Sequence, residues 1–131
     1  MIEVMIAFSL TSVGVLGLIS MQPQAWRLSA KSDFLGRAGE ILHEELEMNE
    51  VLIMNPCNAV PLTSSKNVFA SGQGAAQAGD VTFTVQTTIR DNGNNTWTVA
   101  VRVTWPGNNT GISESLVVTR QEHFRFPQGC V

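Results

Sequence analysis

The chain has 131 residues, a net charge of −3 and 44% hydrophobic residues. This length fits one domain, or a small domain with an appended segment, and leaves room for only a small core. Acidic residues are concentrated between positions 40 and 50 and no basic patch is visible in the sequence, which argues against nucleic acid as the default partner.

The first segment, MIEVMIAFSLTSVGVLGLISM, is apolar except for one carboxylate, Glu3. About 20 residues of helix span a hydrocarbon core of ~30 Å. The segment lacks the basic start and the small-residue cleavage motif of a signal peptide. A core helix that is hydrophobic on every face is hard for so small a domain to surround. A membrane anchor fits the length but does not explain Glu3. A carboxylate costs roughly 2.5–3.5 kcal/mol at mid-membrane and less, but still something, near the end of the span where Glu3 lies.

Three residues weaken this otherwise strong helix: Gly14, Gly17 and Pro23. A glycine in a helix interior costs up to ~1 kcal/mol relative to alanine, and proline removes a backbone donor and clashes with the preceding turn. One interpretation is close helix–helix packing at the small residues together with a simple kink. The two glycines do not have the GxxxG spacing, so that specific dimer motif is absent.

Positions 24–55 change to an amphipathic pattern with apolar residues at three- and four-residue steps. Pro56 closes the helix, since the residue before a proline avoids the α region. Trp26 and Arg27 are placed as amphipathic anchors at a membrane surface would be. We therefore predict one long helix whose second half packs on a globular head through Phe34, Leu35, Ala38, Ile41, Leu42, Leu46 and Met48.

The acidic run HEELEMNE in this helix is interpreted as a solvated face. His43 has at best i,i+4 geometry with Glu47 and no second histidine lies nearby, so no metal site is predicted. His123 stands alone and supports no catalytic assignment. Because the sequence shows no nucleophile–base set and no phosphate loop, we expect no catalytic residue, no metal, no cofactor and no enzymatic activity.

The head is predicted to be a small antiparallel β-meander. Positions 58–80 are rich in Ser, Gly, Ala and Asn without a strong period and indicate a loop. Three segments with period-2 alternation follow, separated by DNGNN and PGNNTG, which are typical of turns. The face expected to pack on the helix carries Val81, Phe83, Val85, Ile89, Trp97, Val99, Val101, Val103, Trp105, Leu116 and Val118.

The two cysteines, Cys57 and Cys130, are an even count in a chain that looks exported, which suggests a disulfide. The closed loop would be long, so the chain-entropy model assigns it roughly 4 kcal/mol. The alternative is two free buried thiols in a cytosolic protein.

The residues IEVMIAFSL, then SVGVLGL, then a proline resemble the N-terminus of mature type IV pilins and pseudopilins. In that family a prepilin peptidase removes a basic leader and the new N-terminal phenylalanine of Phe-Thr-Leu-Ile-Glu is methylated. Met1-Ile2-Glu3 aligns with the last three of those residues. The resemblance therefore implies that the leader and the first two mature residues are missing from this sequence.

The resemblance also implies roles for the residues already singled out. Glu3 would neutralise the N-terminal ammonium of a neighbouring subunit, and the zone from Gly14 to Pro23 would unwind in the filament, which is the second interpretation of that zone. A disulfide between Cys57 and Cys130 would pin the C-terminal region.

The implied fold is the α+β type IV pilin fold. Its parts are a hydrophobic helix over 1–23 in the membrane or filament core, an amphipathic helix over 24–55, and a β-sheet head over 56–131 with a variable loop at 58–80. The SVGxLGL run, the helix closing in an NP pair and the small size look most like V-type minor pilins.

The implied function is that of a minor pilin that primes pilus assembly or sits at the tip and affects adhesion, motility or DNA uptake. Its partners would be other pilin subunits and, before assembly, the inner membrane, with the head in the periplasm; the pilus is extracellular. Minor pseudopilins of type II secretion share the N-terminal pattern, although the cysteine pair favours the pilus. A membrane-tethered periplasmic binding module and an exported enzyme with a cryptic site remain alternatives.

Overall fold

The computed structural model describes residues 1–120 and shows an α+β fold, with one long helix followed by a four-stranded antiparallel sheet. The sheet order is β1-β2-β3-β4, a meander. The chain divides into two compact units, Met1–Leu35 and Gly36–Val131. The elements are α1 (Ile2–Met54), β1 (Thr63–Phe69), β2 (Thr82–Gly93), β3 (Thr96–Trp105) and β4 (Asn108–Thr119).

Helix α1 ends at Met54, within one residue of the predicted end. Pro23 lies inside it. Burial along α1 starts later than predicted, since every residue up to Asp33 is exposed and the first buried one is Ala38. The reason is that the stretch 24–33 holds only isolated large apolar residues.

The second unit begins with the part of α1 that packs on the sheet. Its buried residues recur at steps of three and four, which places them on one stripe of the helix. Leu35 and Met48, predicted on this stripe, are exposed instead. The stripe contains two polar residues among its six, and consists of Ala38, Leu42, Glu45, Leu46, Asn49 and Ile53.

The inner face of the sheet confirms the predicted alternation in β2, β3 and β4. Alternate residues are buried along each central strand, and the Phe83 and Trp105 rings pack with centroids 6.2 Å apart. Trp105 is thus a core residue, as predicted. The buried residues on this face are Phe83, Val85, Thr87, Ile89, Val99, Val101, Val103, Trp105 and Val118.

The prediction of a continuous loop over 58–80 is wrong, because Thr63–Phe69 forms β1 and pairs with β2. β1 is an edge strand of the sheet. Five of its seven residues are exposed, so its sequence TSSKNVF has no apolar alternation to reveal it. The backbone ladder with β2, from Thr63 opposite Thr88 to Phe69 opposite Thr82, holds it in place.

The turn predicted at DNGNN is confirmed between β2 and β3. Asn94 and Asn95 have φ values of 54° and 60°, the left-handed conformation required at both central positions of a type I′ hairpin. The turn at PGNNTG is confirmed between β3 and β4, where Gly107 has a φ of 87°. Gly111 lies within β4 and has a φ of 64°. A side chain at Gly111 would collide with the Val103 carbonyl. Glycine is therefore required here, where the pairing of β3 with β4 shifts register between Val103 and Trp105.

A buried carboxylate, Glu45, connects the helix to the sheet. It is only 6% exposed. It accepts hydrogen bonds from the Thr87 hydroxyl at 3.1 Å and the Asn49 amide at 3.3 Å, and its other oxygen lies 2.5 Å from the Lys66 ammonium. The interpretation of the whole acidic run as a solvated face is therefore wrong at Glu45. This single side chain joins α1, β1 and β2.

Arg120 closes the opposite end of the head. Its guanidinium donates to the Ile53 carbonyl at 3.3 Å and to the Asn58 carbonyl at 3.0 Å, and it lies 5.4 Å from the Trp97 ring centroid. The last turn of α1 contains no basic residue. Arg120 thus supplies, from just beyond β4, a cation and hydrogen-bond donors at the C-terminal end of the helix, where the unpaired carbonyls lie.

Replacing Glu45 by alanine is expected to destabilise the head by about 2–3 kcal/mol, because Lys66, Thr87 and Asn49 lose an acceptor. The half-exposed Lys66 keeps the loss below that for a fully buried pair. Denaturant unfolding of the full chain in detergent, followed by tryptophan fluorescence, measures it. Glu47→Ala is the control, since its pair with His43 is exposed and worth less than about 0.5 kcal/mol. Equal effects would contradict a special role for Glu45.

Replacing Arg120 by alanine is expected to cost about 2–3 kcal/mol, from two charge-assisted hydrogen bonds and a cation–π contact. Arg120→Lys keeps the charge but loses the forked geometry, and should fall between the alanine variant and the wild type. The same unfolding assay applies, with the exposed Arg90→Ala as control. A lysine variant as stable as the wild type would show that charge alone suffices.

Candidate functional site

The first unit, Met1–Leu35, is the candidate functional surface, and we call it the exposed apolar helix. It contains the one helical segment in the described residues that is long and apolar enough to cross a membrane, and no residue of that apolar window is buried. Exposed apolar surface of this extent in a native chain marks contact with lipid or with other proteins. The exposed large side chains include Ile2, Val4, Met5, Ile6, Phe8, Leu10, Val13, Leu16, Leu18, Ile19 and Met21.

Four hydroxyl groups in the apolar run of the exposed apolar helix hydrogen-bond to its own backbone. Ser9, Thr11 and Ser12 each donate to the carbonyl four residues earlier, at 2.9, 2.7 and 2.7 Å. Ser20 donates to the Gly17 carbonyl at 2.8 Å. In a medium without water each unsatisfied polar group costs free energy. These bonds therefore make the four hydroxyls compatible with an apolar environment.

The Glu3 side chain, at the start of the apolar run, has no such bond to the backbone of the helix. It lies in the first turn of α1, where the helix dipole favours a negative charge. It is exposed and has no hydrogen bond or ion pair within the described part of the chain. The next charged side chain is Arg27, so Glu3 stands at the end of a charge-free run equivalent to roughly 34 Å of helix.

Gly14, Gly17 and Pro23 lie on the exposed apolar helix together with Glu3. A Cβ at either glycine would meet no atom within 4 Å, so neither glycine is required by packing against the described residues. Their roles in filament unwinding or in helix packing both stay predictions.

The cysteine prediction falls partly outside the described residues. Cys57 follows the end of α1, where its backbone amide donates to the Asn55 side chain at 2.9 Å and helps the chain turn away at Pro56. Cys57 is not a free thiol. Cys130 lies outside the described residues, so the Cys57–Cys130 pairing stays a prediction, and His123 also lies outside them.

On the surface of the second unit, one pair of polar side chains is structural. His43 lies 3.1 Å from Glu47 one helical turn away, and both side chains are largely exposed. Within residues 1–120 no group of three His, Cys, Asp or Glu side chains is placed to hold a metal ion. A cleft of about 250 Å³ lies between α1 and the end of β1, lined by residues that include Arg37, Glu40, Val68 and Ser71.

A compact loop follows this cleft, between β1 and β2, and Asp80 holds it closed. The Asp80 carboxylate accepts hydrogen bonds from the Ser71 hydroxyl at 2.6 Å and from the Ser71 and Gln77 amides at 3.0 Å each. The Ser71 hydroxyl bond, followed by the Gln77 amide bond, lowers the pKa of Asp80 below its usual value. Arg37 binds the carbonyl of Ala70 at the base of the loop.

Comparison with protein-family models, with curated proteins and with solved structures finds no significant match to this chain. The site therefore has to be interpreted from its own residues. The structure places Glu3 and the apolar run, both singled out from the sequence, on one exposed unit, and the role of Glu3 stays a prediction. Sequence reasoning missed Glu45 and Arg120, whose partners lie on distant parts of the chain.

We predict a pH-dependent change in the loop between β1 and β2, which Asp80 closes. The pKa of Asp80 is lower in the folded state than its unfolded value of about 3.9. The carboxylate therefore contributes fully to loop closure above the unfolded pKa, and this contribution is lost as the pH falls through the folded-state pKa. Amide chemical shifts of Ser71 and Gln77, followed by NMR on the full chain in detergent, should titrate with a midpoint below 3.8. Asp80→Asn should abolish that titration. A midpoint at or above 3.8 would show that the carboxylate does not hold the loop.

Proposed function

We propose that this chain is a pilin-like structural subunit, a minor pilin that enters a type IV pilus and primes its assembly or sits at its tip. The observation that carries the proposal is the exposed apolar helix with one unpartnered carboxylate, Glu3, in its first turn. A plain membrane anchor accounts for the apolar residues but not for the carboxylate. A subunit that buries this helix against other subunits accounts for both.

The first stage of the proposed function is in the inner membrane, with the head in the periplasm. The charge-free run between Glu3 and Arg27 matches the hydrocarbon thickness of ~30 Å. Trp26, which is exposed, and Arg27 follow the run directly, as interfacial anchors do. The internally bonded hydroxyls lower the cost of holding this segment in lipid.

The second stage is the transfer of the same helix into an extracellular filament. Apolar side chains exchange lipid for the side chains of neighbouring helices, so this step gains little from the hydrophobic effect. Glu3 gives it direction, because a carboxylate in a medium of low dielectric attracts the N-terminal ammonium of a neighbouring subunit far more strongly than in water. Desolvation of the two charges opposes this attraction. A Glu3 that is buried without an ammonium partner has the desolvation cost with no compensating attraction, which would exclude its subunit from the bundle.

Replacing Glu3 by alanine or glutamine is the test. We expect normal membrane insertion, measured by fractionation, and at least about a tenfold loss of the protein from sheared surface filaments, because a buried charge partner is removed. Glu47→Ala is the matched control, since this glutamate is exposed and lies in the second unit.

Two outcomes would contradict the proposal. If both Glu3 variants enter filaments as well as the wild type does, the carboxylate does not have the role assigned to it. A wild-type chain that is never found in filaments but stays in the membrane would indicate a tethered periplasmic module instead. If the protein is recovered with the assembled pseudopilins of a type II secretion system and not with pili, it is a subunit of that secretion system and uses the same assembly surface there.

A further inference from the structure

Within the second unit, α1 carries an exposed apolar groove close to its C-terminal end. The groove has a volume of about 490 Å³ and is lined by Glu47, Met48, Val51, Leu52 and Asn58. Met48 is 56% exposed and Val51 is 69% exposed. These two large side chains are three residues apart, which places them on one side of the helix, outside its buried stripe. Residues 1–120 therefore leave this apolar strip uncovered.

The undescribed end of the chain is tied to the wall of this groove at both of its ends. Arg120 is the last described residue, and its guanidinium donates to the carbonyl of Asn58 at 3.0 Å. Cys57, the sequence neighbour of Asn58, is not a free thiol, and Cys130 is the second of the two cysteines in the sequence. With the predicted pairing of these cysteines, the segment 121–130 starts and ends beside the groove.

The length of the segment limits what it can reach. Ten residue steps lead from Arg120 to Cys130, and at roughly 3.3–3.6 Å each they extend to about 35 Å in total, or about 17 Å out and back. Met48 lies six residues before the helix end at Met54, which is about 9 Å along the helix. The start of the second unit at Gly36 is about 27 Å away on the same scale. The segment can therefore reach the groove and the last turns of α1, but not that start.

The sequence of the segment, QEHFRFPQGC, suits an apolar groove. It contains two aromatic residues, Phe124 and Phe126, two positions apart. In an extended chain, residues at i and i+2 lie on the same side. Phe126 precedes Pro127, and a residue before proline favours the extended region. Both aromatic side chains can therefore enter the groove together, where Met48 offers a favourable sulfur–aromatic contact.

The charge at the border of the groove complements the same segment. Glu47 lines the groove, and the exposed Glu44 lies one turn before Met48. The segment has a basic residue, Arg125, between its two aromatic residues, while its carboxylate, Glu122, is only two positions from Arg120. Exposed ion pairs contribute little affinity. The aromatic residues therefore supply the affinity, and Arg125 favours one orientation of the segment over the acidic border.

We infer that the C-terminal segment of this chain fills the α1 groove, with Phe124 and Phe126 covering Met48 and Val51. The Cys57–Cys130 disulfide closes the segment over the helix. That bond forms by thiol–disulfide exchange, in which the two thiols lose two electrons and two protons to an oxidised disulfide-bearing oxidoreductase, which becomes a dithiol. The inference goes beyond the proposed function, because it concerns contacts within one copy of the chain.

Photo-cross-linking of the full chain in detergent tests the position of the segment. With p-benzoylphenylalanine in place of Phe124, irradiation should link position 124 to the stretch from Met48 to Leu52 of the same chain, as assigned by mass spectrometry of the monomer. The same amino acid in place of Val117, an exposed apolar residue of β4, is the matched control and should not label that stretch.

The oxidation rate of Met48 by hydrogen peroxide tests the cover without a cross-linker. F124A/F126A should raise the rate at least about threefold, because the thioether becomes accessible. F124L/F126L keeps apolar bulk and should retain most of the protection. Val117→Ala should leave the rate unchanged. Rates are normalised to the exposed Met21 of the first unit, and tryptophan fluorescence shows that each variant is folded.

Three results would overturn the inference. The first is a Met48 oxidation rate that is the same in the wild type and in F124A/F126A. The second is cross-linking from position 124 to a second copy or to detergent only, which would make that molecule the occupant of the groove. The third is peptide mapping that finds Cys57 and Cys130 joined between two chains. The filament assay with Glu3→Ala involves none of these residues, so either proposal can fail while the other stands.

Discussion

The structure depends on one constraint: the exposed apolar helix has no cover among the residues that the structure describes. In the described part of the chain, α1 is buried only along the stripe from Ala38 to Ile53. Residues 1–33 are all exposed, including the large apolar side chains before Met21. Apolar surface of this extent is unfavourable in water. Under the proposed function, lipid and then neighbouring helices cover it, and both match its length and its lack of charge.

In the head, polar contacts position the second part of α1 on the sheet. A single helix on one face of a four-stranded sheet has a small contact area, so apolar packing alone specifies its position weakly. The buried carboxylate of Glu45 adds directional bonds to Thr87 and Lys66 on two different strands. At the far end Arg120 fixes the last turn of α1 to the end of β4. These two polar contacts fix the rotation of the helix about its own axis and its position along the sheet.

The sequence was informative wherever a period was repeated. The alternation in β2 and β3 predicted both strands and the face they bury, and the apolar run with Glu3 predicted the exposed helix. It failed at β1, whose polar residues show no period because the strand lies at an edge. Glu45 was hidden among identical neighbours, although its phase with Ala38, Leu42 and Asn49 would have placed it on the buried stripe. Arg120 could not be found locally, since its partners at Ile53 and Asn58 are far along the chain.

The ion pair between Lys66 and Glu45 also has a consequence for how copies meet. Strand β1 is an edge, and an edge presents backbone groups to which a foreign strand could add. Lys66 turns its ammonium toward Glu45 on the helix, so a strand extending the sheet would have to continue the inner face past a charged side chain. Inward charges of this kind are a known barrier to edge-to-edge aggregation. Under the proposed function, such a barrier would discourage sheet-to-sheet polymers and leave the helix as the surface through which subunits join.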